Sequence, residues 1–163
     1  MSGPAAARVR RAAPDDVAAL AALAREHHGT GGWEERLREA LMAGELVLVA
    51  EEPPGTIVGY ARAGVRAPSP DDLPDDPSPS GWYVTGLVVA VAHRRRGVAR
   101  RLVADVLAMR PAGEPVWSVV NARDEMSLAL HAALGFTEVL RASRMVGIAF
   151  TGGEGVLLRH DPP

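Results

Sequence analysis

Cysteine is absent from this 163-residue chain, which excludes disulfides, thiolate metal sites and a cysteine nucleophile; any covalent intermediate would need another residue. Lysine is absent as well. All 18 basic residues are arginine, set against 20 acidic ones for a formal charge of -2. A chain without lysine cannot carry the GxxxxGK[ST] phosphate loop. So balanced a charge also speaks against general nucleic-acid binding, which needs excess positive charge across a face. No apolar run approaches the ~20 residues of a membrane span, and the opening MSGPAAARVRR lacks the apolar stretch of a secretory signal. The expectation is a soluble, cytoplasmic protein without membrane or nucleic-acid partners. No metal centre is expected: His27 and His28 are adjacent and point in different directions, and no carboxylate or cysteine pattern follows them.

What is present is enough apolar surface for a core. At 47% apolar residues, residues 1–163 are read as one domain. Arg8–Ala13 reads as a first strand. Pro14, Asp15 and Asp16 then start a helix carrying Val17, Leu20, Ala21 and Ala24 at helical spacing, with carboxylates favoured by the dipole. HHGTGG breaks it at His27–Gly32, and Trp33–Met42 forms a second helix with Trp33, Leu37, Ala40 and Leu41 on one side. Glu45–Glu52 and Ile57–Ala63 read as antiparallel strands about a turn at Pro53–Thr56. Residues 65–81 hold five prolines and four aspartates with almost nothing to bury, the pattern of a mobile surface loop. Trp82–Ala92 is apolar on both faces and reads as a central strand. A helix at Val98–Met109, a strand at Pro115–Val120, a helix at Asp124–Leu134 and closing strands at Phe136–Leu140, Arg144–Phe150 and Gly155–Arg159 complete the order. The fold class is α/β: one mixed, mostly antiparallel central sheet flanked by helices.

The segment AHRRRGVARRL (Ala92–Leu102) places five arginines around one glycine where the central strand turns into a helix. The first backbone N–H groups of a helix have no intrahelical partner and favour an anion. Gly97 lets the backbone approach such a group, and small Ala99 leaves the first turn uncrowded. Arg94, Arg95 and Arg96 add charge around it, while Arg100 and Arg101 lie on the polar side of the helix. Only one glycine is present, so the GxGxxG dinucleotide pattern is absent.

The pattern R-x-x-G-x-A at Arg94, Gly97 and Ala99, behind the strand GLVVAVA, resembles the acyl-CoA pyrophosphate loop of the GCN5-related N-acetyltransferase (GNAT) superfamily, [QR]-x-x-G-x-[GA]. A proline common before that loop is replaced by Val91, and a glycine common after its first arginine by Arg95. Downstream, VNARDEMSLALHAALGFTEV is similar to a second family pattern, N-x-x-[AS]-x-x-L-[YH]-x-x-x-G-F. It matches at Asp124 (in place of Asn), Ser127, Leu130, His131, Gly135 and Phe136, with Asn121 three residues ahead. On a helical wheel Asp124, Ser127 and His131 fall together beside an apolar arc of Met126, Leu130 and Leu134. That Ser, His and Asp lack the G-x-S-x-G setting of a hydrolase.

The resemblance, which spans roughly Arg8–Arg159, implies acetyl-CoA as co-substrate, no metal, and direct attack of a primary amine on the thioester. It places pantetheine along the backbone of Leu87, Val88 and Val89. The pyrophosphate falls at Arg94, Arg95, Arg96, Gly97, Val98, Ala99 and Arg100, and Asn121, Asp124 and Ser127 join the cofactor-binding set. His131 stands where relatives carry a tyrosine or histidine, which makes it the candidate general acid; Gly135 and Phe136 have ordinary readings as helix cap and core. No carboxylate lies in WYVTGL, so the candidate bases are Glu51 and Glu52, His27 or His28, or a water held by Thr85 or Tyr83. His27, His28, Tyr83 and Thr85 are the candidate acceptor contacts. The LALHAALGF wording resembles small-molecule acetyltransferases of the phosphinothricin type, so a small amine is the expected acceptor. Protein N-termini and a non-catalytic CoA-binding sensor remain the alternatives, and dimers are common among relatives.

Overall fold

The structure is a computed structural model describing residues 6–53 and 55–163; Met1–Ala5 and Pro54, the latter within the expected Pro53–Thr56 turn, lie outside them. It is a mixed, mostly antiparallel seven-stranded sheet, in the order β1-β2-β3-β4-β5-β9-β6, with four helices. The chain falls into two compact units: the chain up to Ala63 with Thr85–Ala108, and Gly64–Val84 with Met109–Pro163.

In the first unit β1 (Arg8–Arg11) pairs antiparallel with β2 (Leu46–Glu52), and β2 with β3 (Thr56–Arg66). Helix α1 (Val17–His28) buries the residues its spacing predicts, and α2 (Trp33–Met42) buries Leu37 and Ala40 with Trp33 and Leu41 half-buried. Val17, Leu20, Ala21, Leu23, Ala24 and Leu37 pack with Val47, Val49, Tyr60 and Val88. A single turn of 3-10 helix, Pro14–Asp16, precedes α1. Its Asp16 carboxylate accepts Ala13 N–H at 2.7 Å and both terminal nitrogens of Arg10, which also reaches Glu51 at 3.3 Å. Asp16 is held below the usual carboxylate range by Arg10 first, against the opposing effect of burial. On the other side α3 (Val98–Ala108) buries Val98, Leu102, Val103 and Val106. It comes close to β3 where there is no side chain: a Cβ at Gly59 would meet Val88 O at 3.0 Å and Val98 Cγ1 at 3.3 Å.

In the second unit the start of β4 (Gly81–Val89) runs parallel to β5 (Val116–Asn121), Trp82–Val84 facing Val116–Ser118. Helix α4 (Glu125–Ala133) follows, then β6 (Thr137–Ala142), the two-residue strands β7 (Arg144–Met145) and β8 (Ile148–Ala149), and β9 (Gly155–His160). Strand β9 lies antiparallel between β5 and β6. Tyr83, Trp117, Met145 and Leu157 form the core of this unit. Among the described residues, no helix is long and apolar enough to cross a membrane.

Three expectations change. Strand β4 stops at Val89 instead of Ala92, and Val91–His93 is a 3-10 turn. Arg144–Phe150 is no closing strand of the sheet but a tight hairpin, β7 paired with β8, with Val146 at φ +45° and Gly147 at φ +78°. The proline-rich loop, starting only after β3 has run on to Arg66, is not free of buried groups: Asp76 is 3% exposed and Ser78 6%. Val146 N–H donates to Ser78 Oγ at 2.9 Å, Ser78 Oγ donates to the Asp76 carboxylate, and that carboxylate also accepts Ser78 N–H at 3.0 Å and Gly147 N–H at 3.2 Å. Arg144 pairs with Asp72 at 3.5 Å. Asp72 and Asp76 therefore bind the loop to the hairpin.

Burial pushes the Asp76 carboxyl up, and the hydrogen bonds from Ser78, Gly147 and Val146 outweigh it, leaving the group below its ordinary value of 3.8. Its contribution to stability is thus complete above about pH 4 and is lost as pH falls through the lowered folded value. Asp76→Ala strands several buried donors, and urea denaturation should show a loss of roughly 3 kcal/mol at pH 7. That difference should shrink in acid below the carboxylate range.

Candidate functional site

The turn from β4 into α3 is built entirely within the first unit. Ala90 N–H donates to Val58 O at 2.8 Å, and His93 N–H then turns back to Ala90 O. This reversal ends the strand despite its apolar sequence. Arg95 follows at φ +61° and Gly97 at φ +79°. Two left-handed residues within three positions make this a sharp turn, and turns can gather backbone N–H groups about an anion. The first helical bond of α3 is Arg101 N–H to Gly97 O at 3.0 Å, so the N–H groups of Val98, Ala99 and Arg100 precede the helical ladder. A Cβ at Gly97 would meet nothing within 4 Å, and Arg95, Arg96 and Arg100 are exposed around this opening. Backbone donors at a helix N-terminus and three exposed guanidinium groups, unpaired among the described residues, suit phosphate oxygens.

Arg94 does something else. Its Nε donates to Val89 O at 3.3 Å and its Nη2 to His27 Nδ1 at 3.2 Å. Glu26 Oε1 accepts Val91 N–H at 3.0 Å, and His93 Nε2 meets Glu52 Oε2 at 3.2 Å. The expected acceptor contact His27 and the expected base Glu52 are therefore both engaged in holding the turn. Glu51, the other expected base, is paired with Arg10. His28 stacks on Trp33 with ring centroids 5.1 Å apart, and Arg36 lies 5.1 Å over the same indole. Burial first, and then His27, lower the affinity of His28 for a proton. Thr85 Oγ1 is buried without a partner among the described residues. Val88 belongs to the core, and Leu87 and Val89 are half-buried. Sequence reasoning did not reach Glu26 and His93: the partner of His93 lies on a separate strand, and the Glu26 contact spans 65 positions with no local signal.

The second motif lies in the other unit. Asn121 Oδ1 accepts Arg123 N–H and its Nδ2 donates to Thr151 O at 2.8 Å. Asp124 is the N-cap of α4, accepting Ser127 N–H at 3.0 Å, where a helical position was expected. Met126, expected on the buried arc, is 67% exposed, whereas His131 is the buried residue of the helix at 3%. His131 Nδ1 lies 2.7 Å from Ser127 O, and Nε2 lies 2.9 Å from Ser118 Oγ. A carbonyl only accepts, so Nδ1 carries the proton and Nε2 accepts from the Ser118 hydroxyl. The ring also meets Phe136 edge-on, with centroids 4.9 Å apart. In this arrangement both ring nitrogens of His131, the expected general acid, are engaged within the chain. Tyr83 is likewise occupied, its hydroxyl donating to Pro79 O at 2.7 Å.

Two measurements test these geometries. Burial, against the Ser127 carbonyl and Asp124, keeps the His131 proton affinity below its ordinary value of 6.5. The unfolded chain then takes up the proton first as pH falls. Stability is complete above about pH 6.5 and declines below it by up to about 1.4 kcal/mol per pH unit. His131→Leu should abolish that part of the slope in pH-dependent denaturation. At Arg95 the left-handed backbone costs about 1 kcal/mol. Arg95→Gly should therefore be neutral or slightly stabilising, whereas Arg95→Val should lower the unfolding free energy by about 1 kcal/mol, read by thermal unfolding.

With this geometry in place, comparison with known proteins is informative. No curated protein matches the chain. Among solved structures, an acetyltransferase of the GNAT family from Bacillus cereus ATCC 10987 superposes with TM-score 0.78 at 16% identity, covering 98% of this chain and 99% of its own. Ribosomal-protein-alanine N-acetyltransferase from Brucella melitensis gives 0.72 at 22%, covering 95% and 99%. A GNAT phosphinothricin acetyltransferase from Sinorhizobium meliloti in complex with AcCoA gives 0.72 at 19%, covering 96% and 89%. At such identities the likeness is one of fold. Residues 15–136 match the model of the acetyltransferase (GNAT) family, and the chain belongs to that family.

Proposed function

We propose that the protein is an acetyl-CoA-dependent N-acetyltransferase whose acceptor is a small-molecule amine. The observation that carries this reading is the turn of Arg95 and Gly97, both left-handed, opening onto the unclaimed N–H groups of Val98, Ala99 and Arg100. The chemistry of that donor set fits a pyrophosphate: rigid backbone donors for its oxygens and exposed Arg95, Arg96 and Arg100 for its charge. When bound, acetyl-CoA supplies an acetyl thioester, and transfer to an amine is the reaction proposed. The LALHAALGF wording, similar to that of small-molecule acetyltransferases of the phosphinothricin type, supports a small acceptor.

A second reading, a CoA-binding module without turnover, draws on a different observation. His131 is sealed between Ser127 and Ser118, and Glu51 and Glu52 are each held by a cation or an imidazole. The proposed acid His131 and the two glutamates expected as bases are thus each engaged with other residues of the chain.

Thiol release from acetyl-CoA separates the two readings, and the absence of cysteine leaves the readout without protein background. The native chain should release thiol with one class of amine from a panel of amines, amino acids, polyamines, aminoglycosides and short peptides. Gly97→Glu places a carboxylate at the anion position and should abolish both release and acetyl-CoA binding while the protein stays folded. Acetyl-CoA binding without release in any mixture would overturn the enzyme reading in favour of the module. Release only with peptides would move the acceptor to protein N-termini, and unchanged affinity in Gly97→Glu would refute the placement of the pyrophosphate.

A further inference from the structure

The anion turn is shaped from outside its own motif. We propose that Glu26 and His27, at the C-terminal end of α1, are positioning residues that set the affinity of the turn for CoA by acting through Val91 and Arg94. The inference rests on the assignment of this turn to the CoA pyrophosphate.

The grounds are the hydrogen bonds that reach residues just ahead of the left-handed Arg95. Val91 opens a 3-10 turn, so its N–H has no partner within that turn; Glu26 Oε1 takes it at 3.0 Å. Arg94, the last residue before the conformational change, is fixed at both ends of its side chain's polar reach, to Val89 O at 3.3 Å and to His27 Nδ1 at 3.2 Å. A guanidinium has no lone pair. His27 Nδ1 must therefore be the acceptor. Residues 95–100, which present the donors, carry no such tether among the described contacts. The burial of α3 fixes the far side of the turn, and its near side is set by residues 91 and 94, which are held by α1. The arginine that begins R-x-x-G-x-A acts here as a strut of the turn, and the charge at its opening falls to Arg95, Arg96 and Arg100.

The test measures CoA binding by calorimetry for the native chain, Glu26→Ala, His27→Ala, His27→Asn, Arg94→Ala and the His27→Ala/Arg94→Ala pair, each checked for an unchanged melting transition. Loss of one such hydrogen bond should raise the Kd for CoA about 2- to 10-fold in Glu26→Ala and His27→Ala. His27→Asn should restore native affinity, because its side-chain oxygen can accept from Arg94. The pair should bind no more weakly than Arg94→Ala alone. In turnover, KM for acetyl-CoA should rise in the alanine variants while KM for the amine stays constant. CoA affinity within twofold of native in both alanine variants, additive losses in the pair, or an asparagine variant as weak as the alanine one would each overturn the proposal while leaving the CoA site standing. A native chain that binds no CoA would remove the pyrophosphate assignment, and this proposal with it.

Discussion

The backbone at Arg95 is the constraint on which the site depends. A side-chain-bearing residue at φ +61° is held against a cost of about 1 kcal/mol or more, and such a conformation persists only where its surroundings over-determine it. Here they do so from both sides. Ahead of it, Ala90 is bonded to Val58, Val91 to Glu26, His93 to Glu52 and Arg94 to His27. Behind it, α3 is anchored by the burial of Val98, Leu102, Val103 and Val106. Four burials of that kind, each stabilising by roughly 1.5–3 kcal/mol, exceed the strain several-fold. The turn is thus a short bridge between two fixed supports, and its shape is not its own to choose.

The same logic divides what the sequence made legible from what it hid. Helices α1, α2 and α3 were readable because their apolar residues recur at the period of the helix and form one continuous stripe. Strands β2, β5 and β9 were readable from apolar runs between turn residues. The polar ties were not. Asp76 sits among five prolines in a segment with every compositional mark of a free loop, yet it is buried because two backbone N–H groups and a hydroxyl converge on its carboxylate. Nothing local announces those partners, since one of them lies 71 positions away.

Histidine 131 shows a subtler limit. Its place in the motif was legible, and so was its alignment with Ser127 one turn earlier. The wheel, however, fixes only relative angle and not which arc faces inward. With Met126 outward and His131 inward, the helix is rotated from the phase its apolar residues suggested. The decision was made by Ser118 on β5 and by Phe136 after the helix, which together offer the imidazole a hydrogen bond and an aromatic edge. A buried polar ring is tolerated where both nitrogens are satisfied, and that condition is met in three dimensions only.

A sealed imidazole and paired glutamates bear on how the proposed transfer would handle protons. The leaving group is an alkyl thiol, with a pKa of about 8.5 by analogy with cysteine, and it departs as thiolate at modest cost. The demand for an acid is therefore small. The demand for a base depends on the acceptor. An alkylamine of pKa about 10.4 is free base to only about one part in a few thousand at pH 7, whereas an α-amino group of pKa about 8 supplies roughly one part in ten unaided. With Glu51 tied to Arg10 and Glu52 to His93, neither glutamate could take the proton in the proposed transfer without giving up its partner, and that demand is smaller for an amine of lower pKa.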